Sequence, residues 1–272
     1  MSPIKIGLLA AASVAVIGGV VLGNLWSTGP ATAHDRLSRE DVEKIVRDYI
    51  MENPEVILES VEKYADAQAE IQAAEAEERQ AAALEEAKDY LPTLMSASAG
   101  SAIGAAPDAA EVLVVEFFDY NCGYCRRATD FVFNLTEEND DIRVVFQDLP
   151  VVDREASPDA AIAALAYSDE GNYAELHRTL MKSAGRITAD RVAEIAAEEG
   201  FDPEIARQAL ADESRRAAIE SKVELSREIG EALLIQGTPA FLVTSPDGSV
   251  MEMVPGYDAE SVRAAIEAAR KG

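Results

Sequence analysis

The sequence contains few cysteines, few histidines and few basic residues. Its 272 residues include only two cysteines, Cys122 and Cys125, and two histidines, His34 and His177. Zinc and copper sites usually need three or four nitrogen or sulfur ligands, so we expect no metal centre within one chain and no other cofactor. Lys and Arg number 24 against 50 Asp and Glu, giving a formal net charge of −26. Such a charge repels phosphate backbones, so nucleic acid is not an expected partner.

A long apolar run is present near the N-terminus. Residues 6–26 are almost all apolar and follow a lone Lys5, and Ala31-Thr32-Ala33 has the small-x-small form of a signal peptidase site. Residues 1–33 are therefore predicted to be a signal peptide, although the run is also long enough for a membrane anchor. Either interpretation places the rest of the chain in the periplasm or another extracytoplasmic compartment, soluble after cleavage or held by the anchor.

Residues 34–95 are predicted to form a helical region in front of the main domain. A capping box begins at Ser38, and Asn53-Pro54 starts a second helix of more than thirty residues, since no Gly or Pro follows before Pro92. Apolar residues recur at helical spacing in the first half, whereas residues 72–88 are mostly Ala, Glu and Gln. The region is too thin to bury its own core. We interpret it as a spacer and self-association segment forming a dimer or trimer; packing against the main domain is the alternative.

Residues 96–272 have the pattern of one α/β domain. They begin with a stretch of small residues over 96–109, which we interpret as flexible. The order of the later elements predicts a mixed sheet covered by helices, with its first two strands parallel. These elements are strand 111–119, helix 128–135, strand 142–150, a helical insert at about 155–234, strands 240–244 and 250–254, and helix 258–270.

Both cysteines belong to one C-x-x-C motif, Cys122-Gly123-Tyr124-Cys125, placed where the first strand gives way to a helix. Free backbone N–H groups at a helix N-terminus favour a thiolate, so we expect Cys122 to be the exposed attacking thiol and Cys125 the shielded resolving thiol. A structural disulfide closing so short a ring would constrain the unfolded chain little. The motif therefore favours a catalytic dithiol, with a structural disulfide and a metal site as the alternatives.

Residues 116–125, together with Gly237-Thr238-Pro239-Ala240-Phe241, resemble the DsbA-type branch of the thioredoxin superfamily. The resemblance covers about residue 104 to the C-terminus and implies a thioredoxin-like fold with an inserted helical subdomain. It also implies that Pro239 is a cis-proline packed against the active-site disulfide and that the backbone of Thr238 pairs with substrate chains. The alternative for Pro239 is a proline that opens an edge strand.

The same resemblance assigns Glu116 to a buried position beneath the cysteines, where it would accept a proton from Cys125. The alternative is that strand alternation turns this carboxylate to a solvated face. Gly123 and Tyr124 differ from the Gly-Pro of thioredoxins and the Pro-His of DsbA. They are expected to contact substrate and to influence the reduction potential, so the direction of reaction stays open. His177 is interpreted as an ordinary helix-surface residue.

The implied activity is thiol–disulfide exchange with thiol- or disulfide-containing exported proteins, supported by a membrane redox partner. The N-terminal helices resemble those that oligomerise some ScsC-type relatives, which favours a homo-oligomeric disulfide isomerase or reductase. Two alternatives are a monomeric DsbA-type oxidase and a non-catalytic module that binds client proteins or copper.

Overall fold

The structure, a computed structural model, describes residues 37–272. The predicted signal peptide or anchor, residues 1–33, lies outside the described residues. Between residues 37 and 272 no helix is long and apolar enough to cross a membrane. The contacts divide the chain into two compact units, with the boundary after Asp66.

The described part of the first unit consists of helix α1 (Arg39–Glu52) and the beginning of α2 (Glu55–Ala87). The capping box is present, because Ser38 Oγ accepts from the Asp41 N–H and the Asp41 carboxylate accepts from the Ser38 N–H. The length of α2, 33 residues, confirms the predicted long helix. No residue of α1 is buried. Exposed apolar residues of this unit include Val42, Ile45, Val46, Tyr49, Met51, Ile57, Leu58, Val61 and Tyr64.

The second unit begins at Ala67, within α2, and contains one mixed sheet with the strand order β1-β3-β2-β4-β5. Strands β2 and β3 are parallel and β4 and β5 are antiparallel, as predicted, and the pairs β1/β3 and β2/β4 are also antiparallel. After a 3-10 turn at Lys88–Tyr90, the elements are α3 (Leu91–Ser96), β1 (Ser101–Gly104), β2 (Val112–Phe118), α4 (Gly123–Glu138), β3 (Ile142–Asp148), α5 (Ser157–Leu165), α6 (Tyr173–Lys182), α7 (Ala189–Glu198), α8 (Glu204–Ala211), α9 (Glu213–Ala232), β4 (Ala240–Thr244), β5 (Met251–Pro255) and α10 (Ala259–Ala269).

The interpretation of residues 96–109 as flexible is wrong for residues 101–104, which form strand β1 against β3. The small residues serve a close approach of two backbones rather than flexibility. A Cβ at Gly100 would overlap the carbonyl oxygen of Phe146, so glycine is required for the chain to enter the sheet here.

Alternation along β2 directs its side chains into two cores on opposite faces of the sheet. Val114 and Phe118 pack with α4, α10 and the helical insert, whereas Val115 and Phe117 pack with α3, α9 and the end of α2. Glu116 has the same parity as Val114 and Phe118. Its carboxyl group is therefore directed to the face that carries the cysteines.

Candidate active site

Cys122 is the N-cap residue of α4, and its sulfur accepts a hydrogen bond from the backbone N–H of Cys125 at 3.3 Å. The two cysteines are free and are not joined in a disulfide. The interaction with the Cys125 side chain, with smaller contributions from Thr238 and the backbone N–H groups of Cys125 and Tyr124, lowers the pKa of Cys122 to about 6. Burial, the largest cause, raises the pKa of Cys125 well above its usual range. At neutral pH the site thus holds one thiolate and one thiol.

Cys122 is less exposed than expected, since its exposed fraction is 4% against 0% for Cys125. The carbonyl oxygen of Thr238 covers the Cys122 sulfur at a distance of 3.1 Å, and it accepts a hydrogen bond from this sulfur only while Cys122 is protonated. The order of the two exposures is as predicted, but Cys122 lies under the Thr238–Pro239 loop rather than open to solvent. The peptide bond between Thr238 and Pro239 is cis.

Glu116 is buried, with 1% of its surface exposed, so the solvated alternative is wrong. Its Oε1 atom has no hydrogen-bond partner. Burial, with a smaller contribution from the nearby Cys122 thiolate, raises the pKa of this carboxyl group to about 8. After burial and the interaction with Cys122, an ionised Glu116 also contributes to the raised pKa of Cys125.

The two residues between the cysteines face outward. A Cβ at Gly123 would meet no atom within 4 Å, and Tyr124 is 61% exposed. The guanidinium of Arg127 stacks over the Tyr124 ring at 3.9 Å from its centroid. This pair forms an exposed platform next to the C-x-x-C motif, with an aromatic face and a cation side by side.

A clamp that the sequence reasoning missed joins the cysteine loop to the helical insert. Asn121, directly before Cys122, accepts from the Ile187 N–H at 2.8 Å and donates to the Ile187 carbonyl at 3.0 Å. Arg126 bridges the carbonyl oxygens of Tyr120 and Gly185 with Nη2 distances of 2.8 Å. Loop polar residues flanking a C-x-x-C motif were the available signal, although their partners lie about sixty residues away.

The interpretation of His177 as a helix-surface residue is wrong. The residue is 1% exposed and packs among aromatic rings, with centroid distances of 4.3 Å to Phe146 and 4.6 Å to Phe118. Burial lowers the pKa of His177 to about 3, so the ring is neutral. Its Nδ1 atom lies 3.2 Å from the hydroxyl of Tyr120. Its spacing from the buried Tyr173 and Leu180, four and three residues away, was the sequence signal for the buried face.

Across residues 37–272, no group of three or more His, Cys, Asp or Glu side chains is arranged to hold a metal ion.

Comparisons with known proteins agree with this architecture. Residues 96–267 match the family described as Thioredoxin. The chain belongs to the thioredoxin superfamily. Residues 39–83 match the family described as the N-terminal domain of copper resistance protein ScsC. The DsbA-like, thioredoxin-type fold with a preceding helical segment is thereby confirmed.

Two solved structures and one curated protein illustrate the similarity of this superfamily member. A thioredoxin-like oxidoreductase from Silicibacter pomeroyi DSS-3 is 32% identical, with 66% of this chain and 97% of that chain covered and a TM-score of 0.58. A linker-deletion mutant of Proteus mirabilis ScsC is 23% identical, with 88% and 98% covered and a TM-score of 0.59. The Na(+)/H(+) antiporter NhaA 1 of Salinispora arenicola (strain CNS-205) is 32% identical over 171 residues, which are 61% of this chain and 24% of that protein. The chain thus spans about a quarter of the length of the curated relatives it matches.

Proposed function

We propose that this protein is an exported thiol–disulfide oxidoreductase that acts on protein substrates, chiefly as a disulfide isomerase or reductase. One observation carries the proposal. Cys122 caps a helix and has a pKa of about 6, while the adjacent Cys125 is held as a buried thiol. A thiolate paired with a protected second thiol is the arrangement that thiol–disulfide exchange needs.

The reaction begins with attack by the Cys122 thiolate on a client disulfide. A bond forms between Cys122 Sγ and one client sulfur, and the other client sulfur leaves as a thiolate. In the reductase branch Cys125 loses its proton to the Glu116 carboxylate and attacks Cys122 Sγ. The Cys122–Cys125 disulfide forms, and the client sulfur leaves reduced. In the isomerase branch a second client thiolate attacks the mixed disulfide instead, and Cys122 is regenerated without net oxidation.

The first unit supports the isomerase preference. Val46 and Tyr49 of α1 are 50% and 55% exposed, and Val61 and Tyr64 of α2 are 61% and 67% exposed. An apolar surface of this kind marks an interaction site. Residues 39–83 match the ScsC N-terminal family. We propose that these helices join copies of the chain, so that several dithiol sites face one misfolded client.

The proposal extends to location and partners. We propose that residues 1–33 direct the chain out of the cytoplasm and that a membrane redox partner restores the working oxidation state of the cysteines. Clients are exported proteins that carry thiols or non-native disulfides. A shift in this site toward oxidase activity would require a partner that keeps Cys122 and Cys125 oxidised.

The decisive test measures insulin reduction and refolding of a scrambled disulfide protein for the wild type, Cys122→Ser and Cys125→Ser. Both activities should be lost in Cys122→Ser, while Cys125→Ser should keep isomerase activity better than reductase activity. If Cys122→Ser retains both activities, the enzyme proposal is wrong. Loss of copper binding alone in that variant would favour a binding module.

A second measurement tests the role of the first unit. The double variant Ile45→Asp, Val46→Asp places charge on the exposed face of α1, and Lys44→Asp is the matched control on the same helix. The double variant should have a lower mass in solution and reduced isomerase activity, with insulin reduction preserved. A wild-type monomer with a strongly oxidising potential would overturn the isomerase preference.

A further inference from the structure

A groove of about 640 Å³ begins at the Thr238–Pro239 loop. Its apolar lining includes Leu234, Pro239 and Met253. The loop that covers the Cys122 sulfur is therefore also one wall of the groove, because the Thr238 carbonyl oxygen lies 3.1 Å from that sulfur. A chain joined to Cys122 would lie at the mouth of the groove.

A second wall of the groove is formed by α2, which lies outside the residues that match the thioredoxin family. Ala83 and Ala87 are buried and fix the last turns of α2 within the second unit. One turn before Ala83, Gln80 lines the groove, and its Nε2 atom is buried without a hydrogen-bond partner. The Thr238 hydroxyl, also in the lining, has no partner while Cys122 is a thiol, although it favours the Cys122 thiolate.

The Gln80 amide nitrogen and the Thr238 hydroxyl are energetically unfavourable without a bound ligand. Buried side-chain polar atoms without a partner number five in the described part of the chain, and two of them line this groove. Such groups are costly unless a ligand or another partner satisfies them. The Gln80 amide offers N–H donors, which suit a peptide carbonyl oxygen.

We infer that this groove binds the segment of the client polypeptide next to its reactive cysteine, with Gln80 as a specificity-determining residue. The inference rests on the proposed function and deepens it. Apolar client side chains contact Leu234 and Met253, and a client carbonyl oxygen accepts from Gln80 Nε2. Strand β5, which supplies Met253 and Pro255 to the lining, is an edge strand of the sheet, and a neighbouring edge favours an extended chain.

The test compares two disulfide substrates that differ in whether they extend into the groove. One is the disulfide of N-acetylcysteine amide, which has no residues beyond the reactive cysteine. The other is a peptide disulfide with apolar residues on both sides of its cysteine. Rate constants for attack by Cys122 are measured with the full chain for wild type, Gln80→Ala, Gln80→Leu and Gln72→Ala. Gln72 is an exposed glutamine on the same helix and serves as the matched control.

We expect wild type to prefer the peptide, and both Gln80 variants to react with it about 3- to 10-fold more slowly, the range for loss of one hydrogen bond. Their rates with the small disulfide and the pH midpoint of Cys122 alkylation should be unchanged, and Gln72→Ala should behave as wild type. Equal peptide rates in wild type and both Gln80 variants would overturn the inference while leaving the enzyme intact. A changed mass in solution for Gln80→Ala would instead assign the groove to a second copy of the chain. If Cys122 of the wild type attacks neither disulfide, the proposed function itself is overturned.

Discussion

Replacing Glu116 with glutamine should make folding stability less dependent on pH. The carboxyl group has a pKa of about 8 in the folded protein, against 4.5 as its ordinary value. The folded state therefore holds this proton more tightly than the unfolded state. The destabilisation from ionisation is absent below pH 4.5, grows as the pH rises, and is complete above pH 8. The carboxylate is buried, so solvent screening does not reduce this effect.

The magnitude follows from the two pKa values. At pH 7, about 2.5 pH units above the unfolded value of 4.5, the destabilisation is about 3 kcal/mol at ~1.4 kcal/mol per unit. Urea unfolding of the reduced protein at several pH values between 4.5 and 8 gives the free energy of unfolding. The difference between Glu116→Gln and wild type should change by about that amount between pH 4.5 and 7. A constant offset from the glutamine amide does not affect this slope.

Glu111→Gln is the control, since it removes an exposed carboxyl group directly before the same strand. Parallel stability curves for wild type and Glu116→Gln from pH 4.5 to 8 would refute the reasoning. The kinetic counterpart is the attack of Cys125 on a mixed disulfide preformed at Cys122. Without the carboxylate this step should slow by roughly 10²-fold or more, as for loss of a general base. Its wild-type rate should rise with an inflection at or below pH 8, because the Cys122 thiolate that helps to raise the Glu116 pKa is consumed in the mixed disulfide.

Three further predictions concern the thiolate, the clamp and the buried imidazole. Alkylation of Cys122 should have its pH midpoint near 6, and Cys125→Ala should raise that midpoint more than Thr238→Val does. A wild-type midpoint near 9 would contradict the stabilisation of the Cys122 thiolate. Asn121→Ala removes both hydrogen bonds to Ile187 and should lower the free energy of unfolding, measured in urea, by about 1–3 kcal/mol. It should also raise the alkylation midpoint of Cys122. An unchanged midpoint would mean that the clamp contributes to stability and not to the Cys122 pKa. The His177 ring is neutral in the folded protein, whereas it becomes protonated in the unfolded chain as the pH falls. The wild type should therefore lose about 2 kcal/mol of stability between pH 7 and pH 5, and His177→Phe should not show this loss. Equal losses for the two proteins in urea unfolding would disprove the burial of His177 as a neutral ring.

The elements that the sequence predicted well are those defined by local patterns. The capping box at Ser38, the uninterrupted run that becomes α2 and the buried strands β2 and β3 each depend on residues within a few positions of one another. The position of Cys122 at a helix start belongs to the same class. Glu116 was assigned to the buried face only through the family resemblance, because a glutamate in an alternating strand fits either face.

The features that were missed depend on contacts between distant parts of the chain. Strand β1 is stabilised by pairing with β3, some forty residues later, and its small residues carry no strand signal of their own. The Asn121 clamp reaches Ile187, and Gln80 reaches a groove formed by residues 233–256. Side-chain identity at one end of such a contact does not specify the backbone group at the other.

The low pKa of Cys122 has a limited effect on the direction of electron flow. A thiol with a pKa of about 6 is stabilised by ionisation at pH 7 by about 1.4 kcal/mol, which corresponds to about 30 mV. The span between the potentials of thioredoxin and DsbA is about 150 mV. Thiolate stability alone therefore shifts the potential by about a fifth of that span. We expect larger shifts to come from Gly123, Tyr124 and the coupling of Glu116 to Cys125, so variants of those residues should move the potential further than any change at Thr238.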